Sequence, residues 1–529
     1  MWPEHVPVLV AGGGTVGLSA ALFLAHHGVD TLVVERQAGP SPHPRATGVG
    51  ARTVEFFREV GIEAQVDAAA ADMSTGMLGK VSGATLATAD LRGATAPPPF
   101  ENPMIGVSPC SLRGTCPQHR LDTVLLAEAT RRGADVRYST RLTGFSQDAD
   151  GVTATLETPD GPHVVRADYL VGADGGRSTV RGALGIGTTG PGELGRTMTN
   201  ILFRADLTPI TRGVRFVSCN TSAPGARGML VTIDGATEWC FHTEDDPTDA
   251  AALVRAAVGA PDLDVEVVSA LPWRVTVRLA DRFADGRVLL VGDAAHTTAA
   301  IGAFGLNTGV ADAHNLAWKL AAVLAGRAGP GLLASYDAER RPVAAMALDQ
   351  AVRRLPDPRL HWGSGPEVEA MRREAGIIAA PIVHLGYRYD SAAVVGPSPE
   401  LPSTTDVALV LDGTPGSRVP HVPLGDGGST LDLVGSRFAV LAGPEGTPWS
   451  AAAEAAGQRL GLDLVAHRVR DPDGRWPAAA GIAPDGALLV RPDGVVAWRA
   501  ATPPPDPATA LTAALAQVLA RPAELSARQ

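Results

Sequence analysis

The chain has 529 residues, 45% of them hydrophobic and 19% charged, which supplies enough apolar surface for a large core and excludes disorder as the overall state. At roughly 100–200 residues per domain, this length predicts about three domains. The net charge is −11, the basic set contains only two lysines, Lys80 and Lys319, and no block of like charge occurs, so a nucleic-acid binder built on a basic face is excluded.

The four cysteines, Cys110, Cys116, Cys219 and Cys240, form no CxxC pair and no Cys/His spacing of the kind that holds zinc. No metal is expected, and a reduced, cytoplasmic setting is. The apolar pattern HVPVLVAGGG starts at residue 5, with no room before it for a leader, and no run of 18 apolar residues predicts a membrane span. The 60 glycines and 42 prolines punctuate turns and build no periodic tract; the proline-dense stretches near 96–103 and 502–507 are expected at the surface.

In chain order, PVLVAGG at 7–13 reads as a strand buried on both faces, GLSAALFLAHHG at 17–28 as a buried helix, and DTLVVER at 30–36 as a second buried strand. Such a unit predicts a right-handed crossover with its ligand edge at the carboxyl ends of the strands. The segments ADYLVGADGG at 167–176 and GRVLLVGDAAH at 286–296 repeat the pattern of a buried strand running into a small-residue loop. Between them, roughly 186–280, alternating stretches rich in Thr, Val and aromatics predict an antiparallel sheet. From 306 onward two long amphipathic helices are expected, with Arg and Lys on one side. Beyond about 396, short strands around the alanine-rich helix WSAAAEAAGQRLG predict a separate small α/β domain, with a tight hairpin turn at the PDG of 492–494.

The sharpest local pattern is Gly12-Gly13-Gly14-Thr15-Val16-Gly17, a GxGxxG between a strand and a helix, with Glu35 at the end of the next strand. Gly12 permits the turn, Gly14 lets backbone approach a diphosphate, Gly17 lets helix and strand pack closely, and the helix start offers free N–H groups. Glu35 can accept from ribose hydroxyls and disfavours a 2′-phosphate. Asp293, in the GDAAH loop, can hold a ribityl hydroxyl, and the companion loop Asp174-Gly175-Gly176-Arg177-Ser178 exceeds what NAD alone requires, which points to FAD.

The strings GGGTVG, DGGRSTVR, GDAAH and GLNTG with NLAWKL together resemble the single-component flavoprotein aromatic hydroxylases related to para-hydroxybenzoate hydroxylase, over roughly 1–395. The tail containing LLVRPDGVVAWRA is similar to the thioredoxin-like extra domain of members that tailor polyketide and indolocarbazole natural products. The resemblance implies an α/β fold, α+β overall: a discontinuous Rossmann-like FAD-binding domain (1–75, 105–185 and 281–395), a mixed or antiparallel substrate-domain sheet (76–104 and 186–280) and a thioredoxin-like C-terminal domain (396–529).

It further implies that Gly12, Gly14, Thr15, Val16, Gly17 and Glu35 hold the ADP half of FAD with Arg36 beside the adenosine. Arg45 in PRATG and Gln118 in CPQHRL match phosphate-side and ribityl-side positions. Asp174 and Asp293 match the two aspartate-glycine loops. The backbone of Gly305, Leu306 and Asn307, at a helix start, matches the place that stabilises negative charge on the flavin pyrimidine edge. No catalytic base is assigned, and Arg45 and Phe304 are the substrate-side candidates. His296 is expected to be structural, Trp318 with Lys319 to be helix core and rim, and His26 with His27 a solvated helix end. Where many members carry two prolines after GDAAH, this chain has Ala299 and Ala300.

The implied activity is hydroxylation of a polycyclic aromatic natural-product intermediate through a flavin hydroperoxide, with NAD(P)H and dioxygen as co-substrates, by a monomer or homodimer. Baeyer–Villiger insertion, epoxidation, oxidative decarboxylation, and capture of an unstable intermediate are the alternatives.

Overall fold

The computed structural model describes residues 2–72, 78–91, 106–245, 247–357, 359–363, 365–396, 411–425 and 427–521. The proline-dense stretch at 96–103 lies outside the described residues. Strand His5–Ala11, an almost uninterrupted apolar run, occupies the middle of an eight-stranded sheet between Thr31–Val34 and Gly161–Gly172, both parallel to it, with Val8 opposite Thr31 on one side and Tyr169 on the other. Parallel strands Asp135–Arg137 and Val288–Leu290 extend the sheet outward, Ala284–Asp285 closes one edge, and the hairpin of Arg141–Gln147 and Val152–Thr158 pairs onto Gly161–Gly172. Helix Thr15–His26 is buried along most of its length because it lies between this sheet and the long helix Phe304–Leu324. That explains why apolar residues occur on all its faces rather than on one stripe.

The chain leaves this sheet after Ile186 and returns at Asp281, whose N–H donates to the Gly187 carbonyl at 3.0 Å. Between these points it builds a seven-stranded sheet whose longest pair is Thr188–Arg204 with Glu266–Ala280, antiparallel and interrupted by register shifts. The sheet is mixed, since Leu78–Gly83 joins Phe216–Thr221 in parallel at one edge. Period-two alternation sends Ile201, Phe203, Trp239 and Phe241 to one face, where they pack with Val254, Ala257 and Val258 of helix Ala250–Val258, and Leu202 and Cys240 to the other.

The third unit is a four-stranded sheet in the order Leu464–Arg468, Phe438–Ala442, Ala487–Val490, Val496–Ala500. The first pair is parallel and spans helix Pro448–Leu460; the other two pairs are antiparallel, which gives the thioredoxin-like arrangement. The expected PDG turn joins the last two strands, with Gly494 at φ 73° and its N–H donating to the Arg491 carbonyl at 2.9 Å.

Charge at the seam between this unit and the main one departs from the amphipathic expectation. Lys319, expected at the helix core and rim, and Arg340, one of the basic residues expected on one side of its helix, are both 0% exposed. Lys319 Nζ lies 2.7 Å from Glu339 Oε2, and Arg491, from the hairpin beside PDG, bonds Glu339 Oε1 at 2.6 Å and pairs with Asp493 Oδ2 at 2.5 Å. Asn315 donates to both Glu339 and Asp493, and Arg52 donates to the Asp493 carbonyl. Burial alone would raise the Glu339 carboxyl, but Arg491 and Lys319 together hold it well below its ordinary range, while burial draws Lys319 down to about 8. His26 and His27 are likewise half-buried rather than solvated: His26 meets Ser436 at 2.9 Å and Arg132 at 2.8 Å, and burial takes His27 down to about 4.

Removing one member of a buried ion cluster strands its partners without compensation. Glu339→Ala is expected to destabilise the protein by about 3–5 kcal/mol, read as a lowered denaturant midpoint. A midpoint unchanged from wild type would show that the seam tolerates Lys319 without its carboxylate partner.

Candidate active site

The carboxyl ends of the parallel strands carry the loops singled out in the sequence. At the first, Gly12 sits at φ 114°, and a Cβ there would stand 2.3 Å from the Ala173 carbonyl oxygen. A Cβ on Gly17 would stand 1.9 Å from the Gly12 carbonyl oxygen, so helix and turn meet backbone to backbone. A Cβ on Gly14 would meet nothing within 4 Å. Gly14 is the N-cap of helix Thr15–His26 and supplies no side-chain cap, which leaves first-turn amides without side-chain partners beside that open space.

Glu35 ends the neighbouring strand and lies where its Oε2 accepts from the Gly13 N–H at 2.8 Å and its Oε1 from the Gln37 N–H at 2.8 Å. The carboxylate is thereby oriented across the glycine loop, with Arg36 exposed beside it. The exposed Arg45 is tied in by its backbone, which donates to Gln118 Oε1 at 3.2 Å, and Gln118 Nε2 donates to Thr15 Oγ1 at 2.9 Å. Arg45, Gln118 and Thr15, distant in sequence, therefore form one hydrogen-bonded unit.

At the next strand end Asp174 acts chiefly as a local cap, accepting from Ser178 Oγ at 2.5 Å and from the Val180 N–H at 3.0 Å. The loop is joined to GDAAH by Arg181, which donates to the Ala294 carbonyl at 2.8 Å and the Gly176 carbonyl at 2.9 Å. Asp293 is exposed at its surface yet crowded by protein. Burial pushes its carboxyl up, with His296 and Arg45 pulling the other way, which puts Arg45 within electrostatic range of this loop.

The long helix Phe304–Leu324 starts at the same edge. Its N-cap, Ala303, is in the left-handed region at φ 55° and provides no side-chain cap, so the first-turn amides, those of Gly305 and Leu306 among them, form a second uncapped helix start. The Asn307 side chain is committed elsewhere: its Oδ1 accepts from the Gly50 N–H at 2.8 Å and Thr53 Oγ1 at 2.7 Å, and its Nδ2 donates to the Gly48 and Ala303 carbonyls. Val16 packs against the same helix, since a Cβ on Gly309 would stand 2.7 Å from Val16 Cγ2 and 3.0 Å from the Gly292 Cα.

Phe304 does not stand at an open surface. It is 1% exposed, packed with Val277, Ala299 and Val383, its ring centroid 5.2 Å from that of His384. Helix-start geometry turns the ring into the core in this conformation. His296 is structural, as expected: it is 1% exposed and lies 2.7 Å from Asp312 Oδ2. Asp312 also accepts from the Gly292 N–H and from Arg340, whose guanidinium reaches Tyr389 Oη. Ala299 is buried and Ala300 exposed.

Sequence reasoning missed Arg181, Asp312 and Arg340. Arg181 was present in DGGRSTVR as one more surface-type arginine, and only its placement opposite the Ala294 carbonyl reveals its role. Toward the seven-stranded sheet, His43 meets Ser269 at 2.6 Å, and His242 meets Asn200 at 2.5 Å. The His43 bond fastens the residue before PRATG to strand Glu266–Ala280 of that sheet. Among the described residues, no group of His, Cys, Asp and Glu could hold a metal ion, and no helix is long and apolar enough to cross a membrane.

An FAD binding domain model matches residues 5–351, and a model of the aromatic-ring hydroxylase C-terminal domain matches residues 412–522. The chain belongs to the FAD-dependent aromatic-ring hydroxylase family. Among curated relatives, tetracenomycin A2 monooxygenase-dioxygenase of Streptomyces glaucescens is 41% identical, with 98% of each chain covered. Aklavinone 12-hydroxylase of Streptomyces purpurascens is 38% identical over 98% of this chain and 99% of the relative. Among solved structures, aklavinone-11 hydroxylase with FAD and aklavinone superposes at TM-score 0.85 with 35% identity, covering 98% of this chain and 100% of that one. This hydroxylase is thus a flavin-dependent monooxygenase whose cofactor is FAD, with NAD(P)H as the family's co-substrate.

The glycine geometry separates two kinds of damage. Gly14→Val is expected to keep wild-type folding by circular dichroism, because a side chain there meets no protein, and to weaken FAD binding more than about 100-fold if that open space receives the diphosphate. Gly17→Ala is expected to lose stability as well. Retained flavin absorbance in purified Gly14→Val would contradict this assignment.

Proposed function

We propose that this monooxygenase inserts one oxygen atom into an electron-rich ring of a polycyclic aromatic natural-product intermediate. FAD, when bound, supplies the redox chemistry, taking hydride from NAD(P)H and activating dioxygen. The protein's part is to bind, orient and exclude water. The observation that carries the reading is the convergence of two uncapped helix starts, at Gly14 and Ala303, on one sheet edge, with the Asp174 and Asp293 loops cross-tied between them by Arg181.

In this reading the amides after Gly14 hold the diphosphate, Glu35 accepts from the adenosine ribose and Arg36 flanks it. Arg45 and Gln118 lie along the phosphate and ribityl side, and Asp293 takes a ribityl hydroxyl. Asp174 shapes its loop through the Ser178 and Val180 bonds. The amides of Gly305, Leu306 and Asn307 favour negative charge at the pyrimidine edge. The ring to be oxidised lies between that edge and the inner face of the seven-stranded sheet, whose polar side chains include Asn200 and His242. The three-part division into 1–75, 105–185 and 281–395 for FAD, 76–104 and 186–280 for substrate, and 396–529 at the C-terminal side follows from the same assignment.

Support for a polycyclic substrate comes from the full-length similarity to aklavinone and tetracenomycin enzymes. Oxidation of NAD(P)H by the purified flavoprotein should accelerate at least tenfold with a polycyclic phenol, with one atom of ¹⁸O from labelled dioxygen in the product by mass spectrometry. Product oxygen derived from water would overturn the proposal.

A further inference from the structure

Behind the phosphate helix lies a buried carboxyl to which the proposed function gives no role. Thr15, the first residue of that helix, is 4% exposed, and its hydroxyl donates to Asp122 Oδ1 at 2.5 Å; Asp122 itself is 3% exposed. The same hydroxyl accepts from Gln118, which in turn accepts from the Arg45 N–H, so three bonds connect the Arg45 loop to Asp122.

No salt bridge reaches Asp122 among the described residues. Arg120 of its own helix pairs with Glu238 and Asp234, and Arg131 and Arg132 with Glu128. On the neighbouring helix Glu63–Ala69, Glu63 pairs with Arg58 and Asp67 with Arg113; on strand Asp135–Arg137, Asp135 pairs with Arg137. His26, at the far end of the phosphate helix, is bonded to Ser436 and Arg132. Two ionisable groups that feel Asp122, Cys116 and Tyr138, are both neutral near pH 7. Burial pushes the Cys116 thiol up to about 12 and, with Asp122 and Glu35, raises the Tyr138 hydroxyl.

We propose that Asp122 couples FAD binding to proton uptake: the carboxyl is neutral while the diphosphate occupies the helix start, and it gives its proton to solvent when FAD leaves. This rests on the reading that the Gly12–Gly17 loop holds the diphosphate. In the empty protein an ionised Asp122, one hydrogen bond behind the helix start, is favoured by the positive end of the helix dipole. The diphosphate draws on that same positive end, and two unscreened anions there repel in a low-dielectric surround. Protonating Asp122 removes the competition and still leaves an oxygen to accept from Thr15.

Burial puts the carboxyl of the empty protein at about 7, so the exchange falls within an accessible range. The sign follows by linkage. The diphosphate raises the bound-state value above the empty-state one, so between the two values the complex carries more protons than free protein and FAD, and affinity falls as pH rises.

Measuring FAD dissociation constants by fluorescence quenching from pH 6 to 9 tests this. Wild type should weaken about tenfold or more between pH 7 and 9, whereas Asp122→Asn, which keeps an acceptor for Thr15, should change less than about twofold. Calorimetry of FAD binding to wild type at pH 7.5, in phosphate and in Tris buffer, should show net proton uptake from the difference in apparent enthalpy, and it decides the matter even if the variant fails to fold. A variant with the wild-type slope, or wild type with no proton uptake, overturns the proposal. Unchanged FAD content in Gly14→Val would instead contradict the diphosphate siting itself.

Discussion

Close packing of the Val16 side chain against the Gly292 and Gly309 backbones sets the geometry of the sheet edge proposed to hold the cofactor. With no Cβ on either glycine, the long helix comes close enough for its start to reach the same edge as helix Thr15–His26. The Gly292 N–H is then within 3.1 Å of Asp312 on that helix, which also holds His296 and Arg340. Burial alone would raise the Asp312 carboxyl, but His296 and Arg340 keep it below its ordinary range. The GDAAH loop is therefore locked from behind by a buried charged network while its front, at Asp293, stays open.

The C-terminal unit is fastened by the same kind of physics on the opposite side of that helix. Lys319, Glu339, Arg491 and Asp493 form an ion cluster with almost no exposure, continued by Arg52, Glu55 and Arg418. Buried ion pairs of this sort add little net stability compared with apolar packing, but they penalise any misaligned docking heavily, since each misplaced partner leaves a bare charge. Lacking a CxxC pair, the unit cannot perform dithiol exchange. Its visible work is to hold helices Ala51–Glu59 and Phe304–Leu324, whose starts meet through the Gly50 N–H bond to Asn307 Oδ1.

Much of this architecture could be read from the chain. Continuous apolar runs ending in glycine located the parallel strands, and the steric demands at Gly12 and Gly17 were deducible because backbone rules are local. What stayed hidden depends on partners far away in sequence. An arginine at 340 or a lysine at 319 has the same local pattern whether solvated or sealed, and only Asp312, Glu339 and Arg491 decide between the two. The direction in which Phe304 turns and the commitment of the Asn307 side chain to Gly48 and Gly50 are set by packing across more than 250 residues of chain. Asp122 went unremarked because a carboxylate on a helix is ordinarily a solvated residue, and nothing in CPQHRLD signals that Thr15 covers it.

Two uncapped helix starts, at Gly14 and Ala303, are proposed to face one ligand from its two ends. A crystal structure of the FAD complex tests this most directly. The diphosphate is expected against the amides that follow Gly14 and the pyrimidine edge of the ring against the amides of Gly305, Leu306 and Asn307. Density placing the diphosphate away from the glycine turn, or the ring remote from the start of the long helix, would contradict it.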